Sequence, residues 1–324
     1  MEKILKTNAK KPVAYLYLLG TFFLWGSLYV ATKYALMDVS TVTITGGRYV
    51  IAFIVLLIVG HKHLKVKIEK SDWKYFVMVG FLGYYMNSFL GGLSVRYLGA
   101  SNAALINALN PVSITIVAAI LLKEKINWVK ILCIVLAFAG TAVITKGVAA
   151  DGQMIGVVIA LSALIFWAVA SVTLRRMGAK YGAMTVTLYG IMVCLLFYIP
   201  TAAVDCVRNG GFHISLRSGL AVVYLGVFGT AVATFCWSKA LSMLEASRCS
   251  LFYPLQALFS SLLGTLILKE QFKATFFIGA AIITANVLIN CLYREKEPET
   301  NPVVSGKPAV PQAESAAGSN EQGE

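Results

Sequence analysis

One arginine lies inside a long apolar stretch, and it is the residue there best equipped for chemistry. Arg48 falls within the apolar stretch 41–60, and every other formal charge lies at or beyond the end of such a stretch. A guanidinium is planar and permanently charged, and its donors match a carboxylate or a phosphate. Arg48 therefore predicts one of two roles. It binds an anionic or zwitterionic solute, or it snorkels outward or ties carbonyls of neighbouring helices together.

Two pairs of polar residues recur at a fixed distance along the chain. Asn107 and Asn110 have counterparts 146 residues later in Tyr253 and Gln256. Residues three apart share one face of a helix, so each pair would present its polar groups on one side. In apolar helices such groups either line a solute pathway or hydrogen-bond between helices.

Aromatic and small polar residues also recur. Trp25 and Trp167 are 142 residues apart, and both lie deep enough in their segments to line a cavity wall. Their rings either pack helices and mark the interface, or stack on an apolar or cationic solute. Tyr84 and Ser88 precede a loop, and Thr234 is the counterpart of Ser88. We take all five as candidate binding residues.

Prolines and acidic residues mark places where the chain could move. Pro111 and Pro254 lie within apolar segments, where a proline frees a backbone carbonyl and permits a kink that can act as a gate. Glu124 and Glu270 each follow a lysine at a segment end. They predict either local ion pairs that anchor helix ends or gates that exchange partners.

Ten apolar segments must position these residues. Each is about 20 residues long, which is the length of helix that spans a hydrocarbon core. With 58% hydrophobic and 13% charged residues, the composition indicates an all-α integral membrane protein. The segments are 14–36, 41–60, 75–95, 99–122, 128–146, 154–175, 182–204, 218–240, 247–268 and 274–292.

The segments form two matching sets of five. Besides Trp25 and Trp167, VGFLG at Gly80 and Gly83 matches LGVFG at Gly226 and Gly229, and Leu-Lys-Glu recurs at 122–124 and 268–270. An odd number of spans per repeat inserts the halves in opposite orientations. We expect two inverted five-helix repeats around a central cavity, with glycines that let helices approach closely. The expected parts are an N-terminal segment 1–13, repeats 14–146 and 147–292, and a disordered tail 293–324.

Basic residues indicate the orientation. With the N-terminus inside, the inner segments hold 20 lysines and arginines and the outer segments hold seven. Cytoplasmic loops carry this excess, so both termini are expected in the cytoplasm. The net charge of +13 then reflects topology and contact with the lipid bilayer rather than nucleic-acid binding.

The polar inventory argues against an enzyme. All acidic residues and histidines fall in loops, at segment ends or in the tail, so no carboxylate or histidine lies mid-membrane to carry a proton. The chain has no paired acids, no nucleophile–base set and no HExxH motif. The six cysteines lack paired spacing and read as apolar fillers. We expect no catalytic residue, no metal site and no cofactor.

Together these patterns resemble the drug/metabolite transporter superfamily of the EamA type, over roughly residues 14–292. The resemblance rests on the inverted repeat, Trp25-Gly26, Arg48, and the fourth segment from Asn110-Pro111 to Glu124. It implies a ten-helix bundle with a central cavity and alternating access for small solutes, often amino acids moved outward. One departure is that the counterpart of Pro111 is Ala257, while Pro254 lies about one turn earlier.

The function expected from the sequence is secondary transport of small metabolites, foremost amino acids, out of the cell across the plasma membrane. One alternative is an exporter of lipophilic drugs or cations, which Arg48 disfavours. Another is a non-transporting membrane scaffold. The solute, the coupling ion and the oligomeric state stay open.

Overall fold

Helices account for every regular element in the computed structural model over the residues that it describes. These residues are 2–36, 40–98, 106–107, 109–145, 154–208, 214–268 and 274–292, and all belong to one compact unit. Seven of their helices are long and apolar enough to cross a bilayer, and three shorter apolar helices bring the total in this part of the chain to ten. The membrane fold expected from the sequence is confirmed.

The first five spans are numbered α1 to α5. They comprise α1 (Glu2–Ala35), α2 (Thr41–Gly60), α3 (Trp73–Val77, Met78–Met86 and Asn87–Leu98 in continuous succession), α4 (Asn110–Leu122) and α5 (Trp128–Thr145). The next five are α6 (Met154–Tyr181), α7 (Ala183–Arg208), α8 (Leu216–Tyr224, Leu225–Val232 and Ala233–Leu241), α9 (Ala246–Ser250 and Pro254–Leu268) and α10 (Ala274–Leu292). Several ends differ from expectation: α1 begins at Glu2 rather than residue 14, α6 continues to Tyr181 rather than residue 175, and α7 to Arg208 rather than residue 204.

Helix pairing follows the repeat. Helices α2 and α7 pack against each other, as do α5 and α10, and each pair consists of two counterparts. The contact of α1 with α9 is matched by α6 with α4, that of α3 with α6 by α8 with α1, and that of α3 with α7 by α8 with α2. A pseudo-two-fold axis between the repeats produces this arrangement.

The correspondence extends to single residues. A Cβ atom built on Gly80 would lie 2.6 Å from Cβ of Val193, and one built on Gly226 would lie 2.6 Å from Cβ of Ile51. Ile51 is the counterpart of Val193, 142 residues earlier. The same glycine of each repeat therefore brings its helix against a helix of the other repeat, which confirms the packing role expected for these glycines.

Helices α3 and α8 contain matching π-helical segments, at Met78–Met86 and Leu225–Val232. Each segment surrounds one of the paired glycine motifs. A π-helix has a wider turn than an α-helix and recurs at functional sites in proteins. Nothing in the apolar pattern had indicated it.

Helix α9 is broken, and both prolines start helices rather than kink them. A turn at residues 251–253 separates Ala246–Ser250 from Pro254–Leu268, and the Asn286 side-chain amide donates to the Leu251 carbonyl at 3.0 Å. Pro111 lies in the first turn of α4. A proline in a first turn removes no helical hydrogen bond, so each proline begins a helix, and Pro254 does so directly after the break in α9.

Candidate functional site

Four aromatic rings meet at the centre of the bundle, where α1, α6, α8 and α9 come together. The ring centroids of Trp25 and Trp167 are 5.8 Å apart, and Trp237 lies 5.7 Å from Trp25 and 6.3 Å from Trp167. Tyr253 lies 5.6 Å from Trp237 and accepts a hydrogen bond from the Trp167 indole N–H. We call these four residues the aromatic cluster.

The aromatic cluster contains the repeat axis but is not symmetric about it. Trp25 and Trp167 are counterparts, so their contact lies on the axis. Trp237 and Tyr253 have Gly91 and Asn107 as their counterparts. One side of the tryptophan pair is therefore covered by two large rings. The other side has a glycine and an exposed asparagine at the matching positions.

Arg48 lies on α2 near this centre. Its guanidinium carbon is 5.3 Å from the ring centroid of Tyr49, and its buried Nε–H has no hydrogen-bond partner among the described residues. The Tyr49 hydroxyl donates to the Tyr84 carbonyl at 3.2 Å and shares a hydrogen bond with Ser88 at 3.1 Å. Tyr84 in turn lies 6.5 Å from Trp167, so a chain of rings links the arginine to the aromatic cluster.

The polar pairs on α4 and α9 are only partly inward. Asn110 is buried, and its side-chain amide donates to the Asn107 carbonyl at 3.0 Å, whereas the Asn107 side chain is exposed. The Asn110 Oδ1 atom has no partner among the described residues. Gln256 is half-buried where α9 meets α1, and Thr234 is buried one turn before Trp237.

Among the described residues, the Glu124 carboxylate accepts four hydrogen bonds, which come from three other residues. Its side chain is 5% exposed and accepts a charge-assisted hydrogen bond from Arg175 on α6. It also accepts from the backbone N–H of Ala246 at 3.0 Å, from the N–H of Ser247 at 3.2 Å, and from the Ser247 hydroxyl. We call Glu124, Arg175, Ala246 and Ser247 the latch, because together they join α4, α6 and the start of α9.

Further ion pairs lie at the same end of the bundle, which we call the latch end. Buried Lys130 donates to Glu245 at 2.8 Å, directly before α9. Lys180 donates to Asp72 at 2.7 Å, joining α6 to the start of α3. Glu124 is thus not in a local pair with Lys123, as one of the two sequence interpretations had it. Glu270, the second candidate gate, lies outside the described residues.

Three residues of this site escaped the sequence analysis. Trp237 has a glycine as its counterpart, so the repeat gave no signal, although it lies one helical turn after Thr234. Arg175 and Ser247 are far from Glu124 in sequence. The signal for them was present in the repeat, since Glu124, Ala246, Ser247 and Arg175 have Glu270, Ala100, Ser101 and Lys33 as counterparts.

The side chains of this site have the chemical groups that a solute could bind. Aromatic faces stack on apolar or cationic groups, and a guanidinium with a free donor attracts an anion. Among the described residues no group of three or more His, Cys, Asp or Glu side chains could hold a metal ion.

Comparisons with known proteins identify the family to which the chain belongs. The model of the EamA-like transporter family matches the chain twice, over residues 12–146 and 154–292. An uncharacterized transporter of Archaeoglobus fulgidus is 26% identical over 83% of this chain and 95% of its own length. The uncharacterized transporter YetK of Bacillus subtilis is 24% identical over 92% of both chains. A crystal structure with 22% sequence identity has the same fold, with a TM-score of 0.70 over 86% of this chain and 96% of its own.

Proposed function

Because the chain belongs to the EamA-like transporter family, we propose that it exports small metabolites, amino acids foremost, across the plasma membrane by alternating access. It works as a secondary transporter, without catalysis or cofactor. Both termini lie in the cytoplasm, as the excess of basic residues in the inner loops indicates. The latch end is then the cytoplasmic end.

The contact between Trp25 and Trp167 is the observation that carries the proposal. Two counterpart side chains touching on the axis mark the point around which the repeats exchange roles. A solute bound there lies within reach of either end when that end opens. Tyr84 lies 6.5 Å from Trp167 and Tyr253 lies 6.1 Å from Trp25. Further polar groups proposed for binding are buried Thr234, buried Asn110, half-buried Gln256 and exposed Asn107.

Arg48 gives the preference for amino acids over cations. Its Nε–H is buried without an acceptor among the described residues, and an unpartnered buried donor is costly unless a ligand or water completes it. A solute carboxylate would do so. The counterpart of Arg48 is Gly190, so the positive charge acts on one side of the axis and favours an oriented zwitterion.

The latch is the gate at the cytoplasmic end in this proposal. Its release would let α4 separate from the start of α9, with Pro111 and Pro254 fixing where the moving helices begin. Glu270 would act in the same way at the opposite end, since its sequence neighbours repeat those of Glu124.

A lipophilic cation is the second candidate solute. The aromatic cluster favours it, because ring faces attract positive charge. Arg48 opposes it through repulsion. A non-transporting scaffold has no use for an unpaired guanidinium donor in the membrane, which costs stability without a ligand.

Counterflow in proteoliposomes tests the proposal. Vesicles loaded with unlabelled amino acid and given trace label outside should accumulate label without any ion gradient. Arg48→Ala should abolish accumulation, because the carboxylate loses its counter-charge. Arg176→Ala is the matched control, since Arg176 lies over Tyr75 at 5.1 Å in similar geometry but at an exposed position. Undiminished accumulation in Arg48→Ala would contradict the role of this arginine.

A further inference from the structure

A glycine stands where the repeat operation would place a tryptophan against the axis. Gly91 on α3 is the counterpart of Trp237 on α8. Trp237 is fully buried against Trp25 and Trp167, which are each other's counterparts. The pseudo-two-fold axis therefore directs Gly91 toward the same tryptophan pair, from the opposite side.

The neighbours of Gly91 on α3 confirm that this face points inward. Residues 84, 88, 91 and 94 lie within one stripe of the helix. Tyr84 is 1% and Ser94 is 3% exposed, and Ser88 bonds to Tyr49 inside the bundle. The counterpart stripe on α8 holds Thr230, Thr234 and Trp237, all buried.

The space beside Gly91 is open. A Cβ atom built on Gly91 would meet no atom of the described residues within 4 Å. By contrast, a Cβ on Gly80 of the same helix would lie 2.6 Å from Val193. Close helix packing therefore explains Gly80 but not Gly91. Because Gly91 faces inward, we assign the space that the described residues leave open beside it to a cavity rather than to lipid.

Two buried polar atoms without a partner among the described residues match the two charged groups of an amino acid. Asn110 is 6% exposed, and its Oδ1 atom is an acceptor without a partner there. The Nε–H of Arg48 is a donor without one as well. Neither atom is exposed in this structure, so a solute ammonium and carboxylate would reach them only after these side chains move.

We propose that the space beside Gly91 is the solute pocket and that Gly91 sets the largest amino-acid side chain that fits over Trp25 and Trp167. The rings of Trp237 and Tyr253 cover the opposite side of the tryptophan pair, toward the latch end. The pocket rests on the transport function proposed above and deepens it, because it turns an open substrate class into a size rule governed by one position.

Thiol accessibility tests the pocket without any transport assay. In a variant with all six native cysteines replaced, Gly91→Cys should react with a charged methanethiosulfonate reagent, because a water-filled pocket allows the thiol to ionise. Gly20→Cys is the matched control. No described atom lies within 4 Å of a Cβ there either, but its neighbours Leu16 and Phe23 are exposed toward lipid at 69% and 44%.

We expect Gly91→Cys to react about 10-fold faster than Gly20→Cys or more, since burial in apolar surroundings suppresses the thiolate. Saturating alanine should slow the reaction at position 91 only. Equal or slower reaction at position 91 would overturn the pocket, whether or not the protein transports amino acids. A reactive position 91 that no amino acid protects would keep the pocket and refute the amino-acid function.

Counterflow with solutes of graded size tests the role of Gly91 in selectivity. Gly91→Leu should lower the ratio of tryptophan to alanine counterflow about 10-fold or more, because a hydrophobic pocket discriminates by this factor for small changes in volume. Gly20→Leu should leave the ratio unchanged. A loss shared equally by both solutes in Gly91→Leu would refute the size rule, because a structural defect does not discriminate between solutes.

Discussion

Glu124 is a buried carboxylate whose hydrogen bonds all come from other helices. Its four donors lie on α6 and at the start of α9, so the residue at the end of α4 determines whether three helices stay together. Bonds to a charged group with little exposure are among the strongest in proteins. This strength suits a gate that must hold firmly in one state and be absent in the other.

Glu124→Gln should destabilise the protein by about 1–3 kcal/mol, because it removes the charge while leaving Arg175 and two backbone donors without their carboxylate. The free energy of unfolding from a denaturant titration in detergent measures this. Glu69→Gln serves as control, since Glu69 pairs with Lys180 at 62% side-chain exposure and should change stability by less than about 1 kcal/mol. Equal changes in the free energy of unfolding for both variants would show that the burial of Glu124 adds nothing to stability.

Residues joined by the repeat could be predicted, and residues that break it could not. Trp25 and Trp167 were paired from sequence alone because both repeats keep the same residue type. Trp237 was missed because its counterpart is a glycine, and that very difference creates the asymmetry of the site. The partners of Glu124 depend on how α4, α6 and α9 pack together. Sequence separation alone does not reveal this packing.

At the scale of elements, the matched π-segments of α3 and α8 pack the two repeats closely against each other. Gly80 of α3 lies against α7, and its counterpart Gly226 of α8 lies against α2 at the equivalent point. A side chain at either glycine must push the neighbouring helix away, because the atoms it meets are backbone and Cβ atoms rather than flexible ends.

Gly80→Ala and Gly226→Ala should therefore each lower the unfolding midpoint, by an amount equivalent to about 1–3 kcal/mol. The two variants should behave alike, since the repeat gives both the same surroundings. Gly20→Ala provides the comparison, because nothing among the described residues lies within 4 Å of its Cβ and little change is expected. A midpoint for Gly226→Ala equal to that of the unmodified protein would refute the close packing of α8 on α2.

The helix ends were harder to predict from sequence than the helices themselves. Apolar length places all ten spans because a bilayer demands about 20 residues. It does not say that α9 breaks at 251–253, where Asn286 of α10 binds the free carbonyl of Leu251. That break depends on a partner from another helix, so the prolines were assigned a kink that the structure replaces with two helix starts.

At the scale of the whole molecule, the latch end and the proposed pocket lie on opposite sides of the tryptophan pair. The ion pairs of the latch end and the rings of Trp237 and Tyr253 lie to one side of the tryptophan pair, and the space at Gly91 lies to the other. Exchanging the conformations of two inverted repeats would reverse these sides. Under the proposed function, the structure would then be one of two related states, the one with the latch end closed.

Weakening the latch should shift the molecule toward the other state. Loss of about 1–3 kcal/mol from contacts made in only one state changes the ratio of the two states about 5-fold or more. Glu124→Gln should therefore slow methanethiosulfonate labelling of Gly91→Cys by up to about that factor, because the pocket spends less time open on its side. Glu69→Gln in the same background should leave the labelling rate unaltered. An unchanged rate in Glu124→Gln would separate the latch from alternating access and leave it a purely structural contact between α4, α6 and α9.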